Sequence, residues 1–491
     1  MTAADSSRAQ TRSSELAPAT SKVAAPPSTI SWVTLALMTT SSVASLRSAP
    51  TMAIYGLTCV FFYVIPAVCF LLPTALVSAE LASGWAGGVY RWVGEGLSKP
   101  LGFLAVWCQF AMTIFYYPSL LAYVASTFAY VIDPRLASNG LYTAMVIIIL
   151  FWTGVYISAR GTKAVAGLSS AGLVIGTLIP GALLVLLGLI FLGQGNASAA
   201  PMTADHLLPQ WTGLASLVLI VNNFLAYSGM EMNAVHVSSL RKPATEFPRA
   251  MFVSCGLVLV IFIVPALVIS WVVPAGNLSL TAGVMQAFDG FFSHFGIGFM
   301  TPILGVLLIA AALGGMLTWL AGPSKGLLMI SRENGYLPPF LQRLNKAGVQ
   351  QNILVTQGVV TTLIALMYAL IPDVSSAYWI LSAITTQVYL IVYLLMFVAA
   401  LRLRRRYPDH PRGFTAPALK TLCTVGFAAS AAAMFIGFVP PSQFGDGNLM
   451  AYLAIVGGGM GVIGLLVPLL LLKFRRPAWQ TAPTTAGGAE Q

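Results

Sequence analysis

Twelve stretches of this chain are apolar for long enough to matter, and that repetition leaves few folds open. They run about 30–55, 57–79, 101–131, 141–158, 165–192, 212–238, 250–273, 299–325, 352–371, 376–401, 418–438 and 450–473. About 20 apolar residues in a helix cover the hydrocarbon core of a bilayer, and most of these stretches reach that length. Inside lipid every backbone N–H and C=O needs an internal partner, which a helix supplies within its own segment. The expected fold is therefore all-α and integral to the membrane, with twelve transmembrane helices. Composition agrees, at 57% hydrophobic and 8% charged with a mean hydropathy of +0.84, where a soluble domain carries about 25% charged residues.

The net charge of +11 is a topology signal. Of the 25 Lys and Arg, 23 fall in the N-terminal tail, the C-terminal tail or the even-numbered connections between stretches. Arg135 stands on the opposite side, and Arg47 stands within a stretch. By the positive-inside rule both termini are expected in the cytoplasm, with the protein multi-pass in the cell membrane. The placement of the charges argues against nucleic acid as a partner; lipid and small molecules remain. The five cysteines, Cys59, Cys69, Cys108, Cys255 and Cys423, lie in apolar runs without CxxC or Cys/His spacing, so no metal or cofactor is expected.

Residues 1–29, rich in Ala, Ser, Thr and Pro, read as a disordered cytoplasmic tail, and 477–491 as a short C-terminal one. The N-terminal tail is not expected to be a signal peptide, because the apolar stretch after it is too long and lacks a small-residue cleavage site.

Two stretches are interrupted. Thr39-Thr40-Ser41-Ser42-Val43-Ala44-Ser45-Leu46-Arg47 divides the first, with Pro50 just beyond. Small hydroxyl residues compete for backbone hydrogen bonds and proline removes one, so a helix can open here. Ala226-Tyr227-Ser228-Gly229-Met230-Glu231-Met232-Asn233 divides the sixth, with His236 five residues past the acid. Arg47 and Glu231 are the two charges well inside apolar stretches, and intramembrane charges mark function by default. Paired interruptions in corresponding stretches are what an inverted five-plus-five repeat produces around a transport site. Two plainer readings stand beside this one. Arg47 can snorkel to the membrane edge from a kinked helix, and Arg47 and Glu231 can neutralise each other as a buried ion pair.

Other features are less specific. Tyr116-Tyr117-Pro118 reads as packing or as a cavity wall, and the glycines of the fifth stretch (Gly167, Gly172, Gly176, Gly181) suit close helix approach. Trp319 lies too deep for an interfacial belt. Tyr389 and Tyr393 are four apart and share a helix face. No HExxH, GxSxG or paired intramembrane aspartate suggests an enzyme, and no ring of like charges suggests a channel.

Several motifs in order carry a resemblance. They are Ala79-Glu80 with Gly87-Gly88-Val89-Tyr90-Arg91-Trp92-Val93, Tyr227 to Glu231 with His236-Val237, and Pro243 with Pro248-Arg249-Ala250. Ala282-Gly283-Val284-Met285-Gln286 and Gly322-Pro323-Ser324-Lys325-Gly326 complete the set. From about Ser31 to Phe474 the chain resembles the amino acid–polyamine–organocation transporter superfamily, and within it the glutamate/GABA antiporters. The resemblance implies a LeuT-type fold with broken helices 1 and 6. Its transport core would span 30–401, with repeats at about 30–192 and 212–401, and two further helices would lie within 402–476. It implies a substrate site at Thr40, Ser41 and Ser42 in the first break and at Tyr227, Ser228 and Gly229 in the sixth. Trp319, Tyr389 and Tyr393 would line the path, and Glu231, His236 and Lys325 are the gating or proton-coupling candidates. Two positions depart from those antiporters: Arg47 stands in place of a tyrosine and Gly315 in place of a glutamate. Both changes make the cavity more positive and favour an anionic side chain. The tail after Pro477 is shorter than the one that plugs the vestibule in that family.

The expectation is an amino acid antiporter that exchanges an acidic substrate for a less negative product by alternating access, as a monomer or homodimer. The alternative is a proton-coupled uptake symporter, with Glu231 or His236 titrating.

Overall fold

The computed structural model describes residues 30–85, 87–160, 177–210, 213–233, 236, 240–442 and 448–481. The N-terminal tail, residues 482–491, the glycines Gly167, Gly172 and Gly176, and the Ser42 side chain lie outside the described residues. Residues 477–481, expected as part of a disordered tail, are instead held by the Gln342 side chain, which donates to the Trp479 carbonyl at 2.9 Å, and by the Thr481 N–H, which donates to the Arg332 carbonyl at 3.1 Å. No strand occurs among the described residues. In chain order the helices are α1 Trp32–Val43, α2 Ala49–Ala53, α3 Gly56–Gly84, α4 Gly88–Gly96 and α5 Lys99–Ile132. Next come α6 Gly140–Ala159, α7 Ile179–Gly193, α8 Val221–Tyr227, α9 Met230–Asn233 and α10 Pro243–Val272. The last are α11 Gly283–His294, α12 Met300–Asn334, α13 Gln351–Leu370, α14 Val374–Arg406, α15 Leu419–Ile436 and α16 Leu449–Phe474.

Nine of these, α3, α5, α6, α10 and α12 to α16, are long and apolar enough to cross a membrane. They coincide with nine of the twelve apolar stretches. The other three stretches are different in kind. The first is divided between α1 and α2, the sixth between α8 and α9, and the fifth lies partly outside the described residues, with the 15-residue α7 as its described part.

The interruptions have local causes. In α1 the last ladder bond runs from the Ala44 N–H to the Thr40 carbonyl at 2.8 Å. Ala44 and Ser45 are then extended, and the Ser45 hydroxyl accepts the Arg47 N–H at 3.3 Å, so the serine caps a short turn over Leu46–Ser48 that leads into α2. Between α8 and α9, Ser228 is extended and Gly229 takes φ +108°, a backbone region that costs a side-chain-bearing residue dearly.

Helices α5 and α14 pack together at the centre, with α12 on α5. The most apolar windows of α5 and α14 are 83% and 78% buried, against 17% for α16, so α5 and α14 form the core and α16 the rim. Helix α1 lies on α10, where the Ser254 hydroxyl donates to the Ala36 carbonyl at 2.9 Å.

At the end of α14, Arg404 grips the buried Glu80 carboxylate of α3 with two hydrogen bonds, the Nε bond measuring 2.7 Å. The Ala416 N–H donates to the same carboxylate at 2.8 Å, and Arg412 stands 3.6 Å away. A carboxylate buried at 2% exposure needs such partners. Glu80 therefore fastens α3 to α14 and to the segment after it.

Close helix approach is equally specific at Gly140, the first residue of α6. A Cβ there would stand 1.9 Å from the Tyr368 carbonyl oxygen of α13, a backbone atom that cannot swing aside. Gly140→Ala should therefore destabilise the detergent-purified protein by about 1–3 kcal/mol, as overpacked sites do. An unchanged thermal midpoint would contradict this packing.

Candidate functional site

Between the two interruptions lies a cavity of about 60 Å3, room for roughly four to six waters. The first stretch gives it Ser45, Arg47 and Ser48; α5 gives Tyr116; the residue after α8 gives Ser228. Phe262 of α10, Trp319 of α12 and Tyr389 of α14 stand in its wall, with smaller apolar contributions from Val43, Met112, Leu225 and Ala226. Its polar groups are three serine hydroxyls, the Trp319 indole, two phenols and one cation. None of its lining residues carries a carboxylate.

Arg47 is buried at 8% exposure, so it does not snorkel. One guanidinium nitrogen donates to the Tyr378 hydroxyl at 3.3 Å. The planar group lies 5.0 Å from the Tyr116 ring centre and 5.8 Å from that of Tyr378, within cation–π range of both. Tyr116 in turn tilts against Trp319, ring centres 6.1 Å apart.

Glu231 is engaged elsewhere. Its Oε1 accepts the Tyr389 hydroxyl at 2.5 Å, and its Oε2 accepts the Tyr393 hydroxyl at 2.9 Å and the Gly229 N–H at 3.1 Å. The Tyr393 hydroxyl also accepts the Gly229 N–H, at 3.1 Å. Among the described residues Arg47 belongs to no ion pair, so the expected Arg47–Glu231 pair is not formed. The physical reason is that each charge has its own solvation: three donors for the acid, aromatic faces and a phenol oxygen for the base.

The structure brings Arg47, Ser228, Trp319 and Tyr389 together around the cavity. It puts the other candidates elsewhere. The Thr40 hydroxyl donates to the Ala36 carbonyl and the Ser41 hydroxyl to the Met38 carbonyl, each satisfied within α1. Tyr227 is fully buried and donates to the Tyr63 carbonyl at 2.9 Å, and Tyr393 packs edge-on against Phe70. Lys325 is exposed on α12, and His236 is half-buried between residues outside the described set. Tyr378 and Ser45, hydrogen-bond partners of Arg47, were not among the candidates. A signal for Tyr378 existed, since it precedes Tyr389 by three helical turns and Tyr393 by a little over four, on one face of α14.

Two apolar stretches divided around a small polar cavity match the arrangement that secondary transporters build around a substrate site. A family model described as amino acid permease matches residues 30–460. The chain belongs to the amino acid permease family, within the amino acid–polyamine–organocation superfamily. It is similar to an uncharacterized transporter of Legionella pneumophila, 35% identical over 89% of this chain and 95% of that protein. It is also similar to a glutamate/gamma-aminobutyrate antiporter of Lactococcus lactis, 28% identical over 85% of each. Among solved structures, MhsT in complex with L-phenylalanine shares the fold, with a TM-score of 0.56 at 17% identity over 84% of this chain and 98% of that one.

The Glu231 cluster makes a stability prediction. Glu231→Ala strips two buried phenols and a backbone N–H of their acceptor and should cost roughly 2–4 kcal/mol. Glu231→Gln, which keeps one carbonyl acceptor, should cost less. Thermal midpoints of the two purified variants check this, and midpoints equal to wild type for both would remove the cluster's structural role.

Proposed function

We propose that the protein is a secondary amino acid antiporter, exchanging an acidic, glutamate-like amino acid for a related or decarboxylated, GABA-like one by alternating access. The observation that carries this reading is a buried cation in a cavity without a carboxylate wall. A positive cavity favours an anionic side chain and disfavours a second cation. The glutamate/gamma-aminobutyrate antiporter relative supports the same substrate class.

In this reading the chain has twelve transmembrane helices in a LeuT-type arrangement, with both termini cytoplasmic. The first and sixth helices are broken at Ala44–Ser45 and Ser228–Gly229. The carbonyls that end α1 and α8 offer acceptors to the substrate ammonium, and amides beyond the first break offer donors to its α-carboxylate. Arg47 takes the side-chain carboxylate. Trp319 and Tyr116 close over it, and because the cavity is small these side chains move apart to admit a whole amino acid.

A second reading, proton-coupled uptake, has its own support in Glu231. This carboxylate joins the Gly229 amide to two tyrosines of α14. A change in its charge would alter the fastening of α9 to α14, which is a physical route for a proton to bias the conformation.

Arg47→Ala should raise the half-saturating concentration for glutamate at least tenfold, the equivalent of about 1.4 kcal/mol, and leave glutamine little changed. Equal weakening of both amino acids would remove Arg47 from substrate selection. Gly315 stands one turn before Trp319, and a Cβ built there meets nothing within 4 Å. Gly315→Glu should therefore fold normally and lower the preference for acidic over neutral substrates, as read from competition for labelled glutamate uptake. An unchanged preference would place residue 315 outside the substrate's field.

A further inference from the structure

The guanidinium of Arg47 carries five N–H donors, and its hydrogen bond to Tyr378 employs one of them. That bond uses the Tyr378 hydroxyl as an acceptor, so the O–H hydrogen of Tyr378 remains free to donate to a further group. Tyr368 of α13 is an electrostatic neighbour of the same guanidinium and of Tyr378. It is 0% exposed, and its hydroxyl has no hydrogen-bond partner among the described residues. A buried hydroxyl without a partner costs free energy, so its retention needs a reason. Its backbone is held in place by the close approach of Gly140, which leaves the ring little room to drift. The arrangement is thus one cation with donors to spare and two phenol O–H groups, with no acid among the cavity lining. A cationic ligand would be repelled by Arg47, and a neutral one would leave the guanidinium without a counter-charge.

We propose that Arg47, which lines the cavity, and the buried Tyr378 and Tyr368 behind it form an anion subsite that takes the side-chain carboxylate of the transported amino acid once the wall around Arg47 moves apart. This rests on the reading of the protein as an acidic amino acid transporter and names the residues that would recognise the acid. Two carboxylate oxygens accept several hydrogen bonds between them, enough to engage the guanidinium and both phenols. Tyr378 then serves twice, orienting Arg47 through its oxygen and meeting the carboxylate through its hydrogen. A free inorganic anion such as chloride has the same chemistry, and the experiment separates the two sources.

The test uses the full chain in proteoliposomes. Half-saturating concentrations for labelled L-glutamate and L-glutamine are measured for wild type, Tyr378→Phe and Tyr368→Phe, in sodium chloride and in sodium gluconate. The subsite predicts that each Phe variant raises the glutamate value roughly three- to tenfold, while the glutamine value moves less than about twofold, in either salt. Retained glutamine transport also shows that the variant has folded. If wild type prefers glutamate but the Phe variants weaken both amino acids equally, the subsite is wrong and the acidic reading stands. If wild type moves glutamine as well as glutamate, the acidic reading fails and the subsite with it. If chloride stimulates transport of both amino acids and the Phe variants abolish that stimulation, the site holds a free anion and the side-chain assignment is overturned. Should the Phe variants not survive purification, Arg47→Lys asks the same question. It keeps the charge but loses the planar fork, and equal weakening of glutamate and glutamine there would also overturn the proposal.

Discussion

Everything near the centre of this protein depends on how one carboxylate is satisfied in lipid. Dividing an apolar helix leaves N–H and C=O groups that cost several kcal/mol each where they are buried unpaired. Glu231 answers for part of that cost between α8 and α9. It accepts the Gly229 N–H on one side and the Tyr389 and Tyr393 hydroxyls on the other. Gly229 can take its φ of +108° because it has no Cβ. The glycine makes the bend, the acid caps it, and the two tyrosines of α14 hold the acid. Tyr389 is also part of the cavity wall, so the stability of the division and the shape of the cavity are physically one problem.

That engagement leaves Arg47 without an ion pair among the described residues. An ion pair with Glu231 would have neutralised both charges and left a cavity with no net sign. Instead the guanidinium rests on Tyr116 and Tyr378, partners that lower the cost of burial without cancelling the charge. A cation kept in this way can exchange an aromatic contact for a substrate carboxylate at little cost, where a salt bridge would first have to be broken. The Glu80–Arg404 contact shows the other choice in the same chain: opposite charges engaged by two hydrogen bonds, away from the cavity, fastening two helices.

Much of the fold was legible from the sequence, because length and hydropathy bear directly on crossing a bilayer. Nine apolar stretches map onto nine continuous helices. The interruptions were legible as runs of Ser, Thr and Gly, and Arg47 and Glu231 as intramembrane charges. Their partners were not. Arg47 meets Tyr378 across 331 residues and Arg404 meets Glu80 across 324, and no local pattern encodes such a contact. Hydroxyl partners were equally illegible. The Thr40 and Ser41 hydroxyls are satisfied by carbonyls of their own helix, a local option always open to Ser and Thr, so what these residues offer the break is backbone. The quieter Ser45, four residues past Ser41 and in extended backbone, reaches the cavity.

The account's central claim is exchange of an acidic amino acid, and counterflow in proteoliposomes tests it most directly. Liposomes carrying the purified protein would be loaded with unlabelled glutamate, GABA, aspartate or arginine, or left empty, and uptake of labelled glutamate followed across pH. The account predicts uptake only into loaded liposomes, with glutamate and GABA as effective internal partners and arginine ineffective. Uptake into empty liposomes driven by a pH gradient alone would contradict exchange, and failure to take up glutamate under every loading would contradict the substrate class.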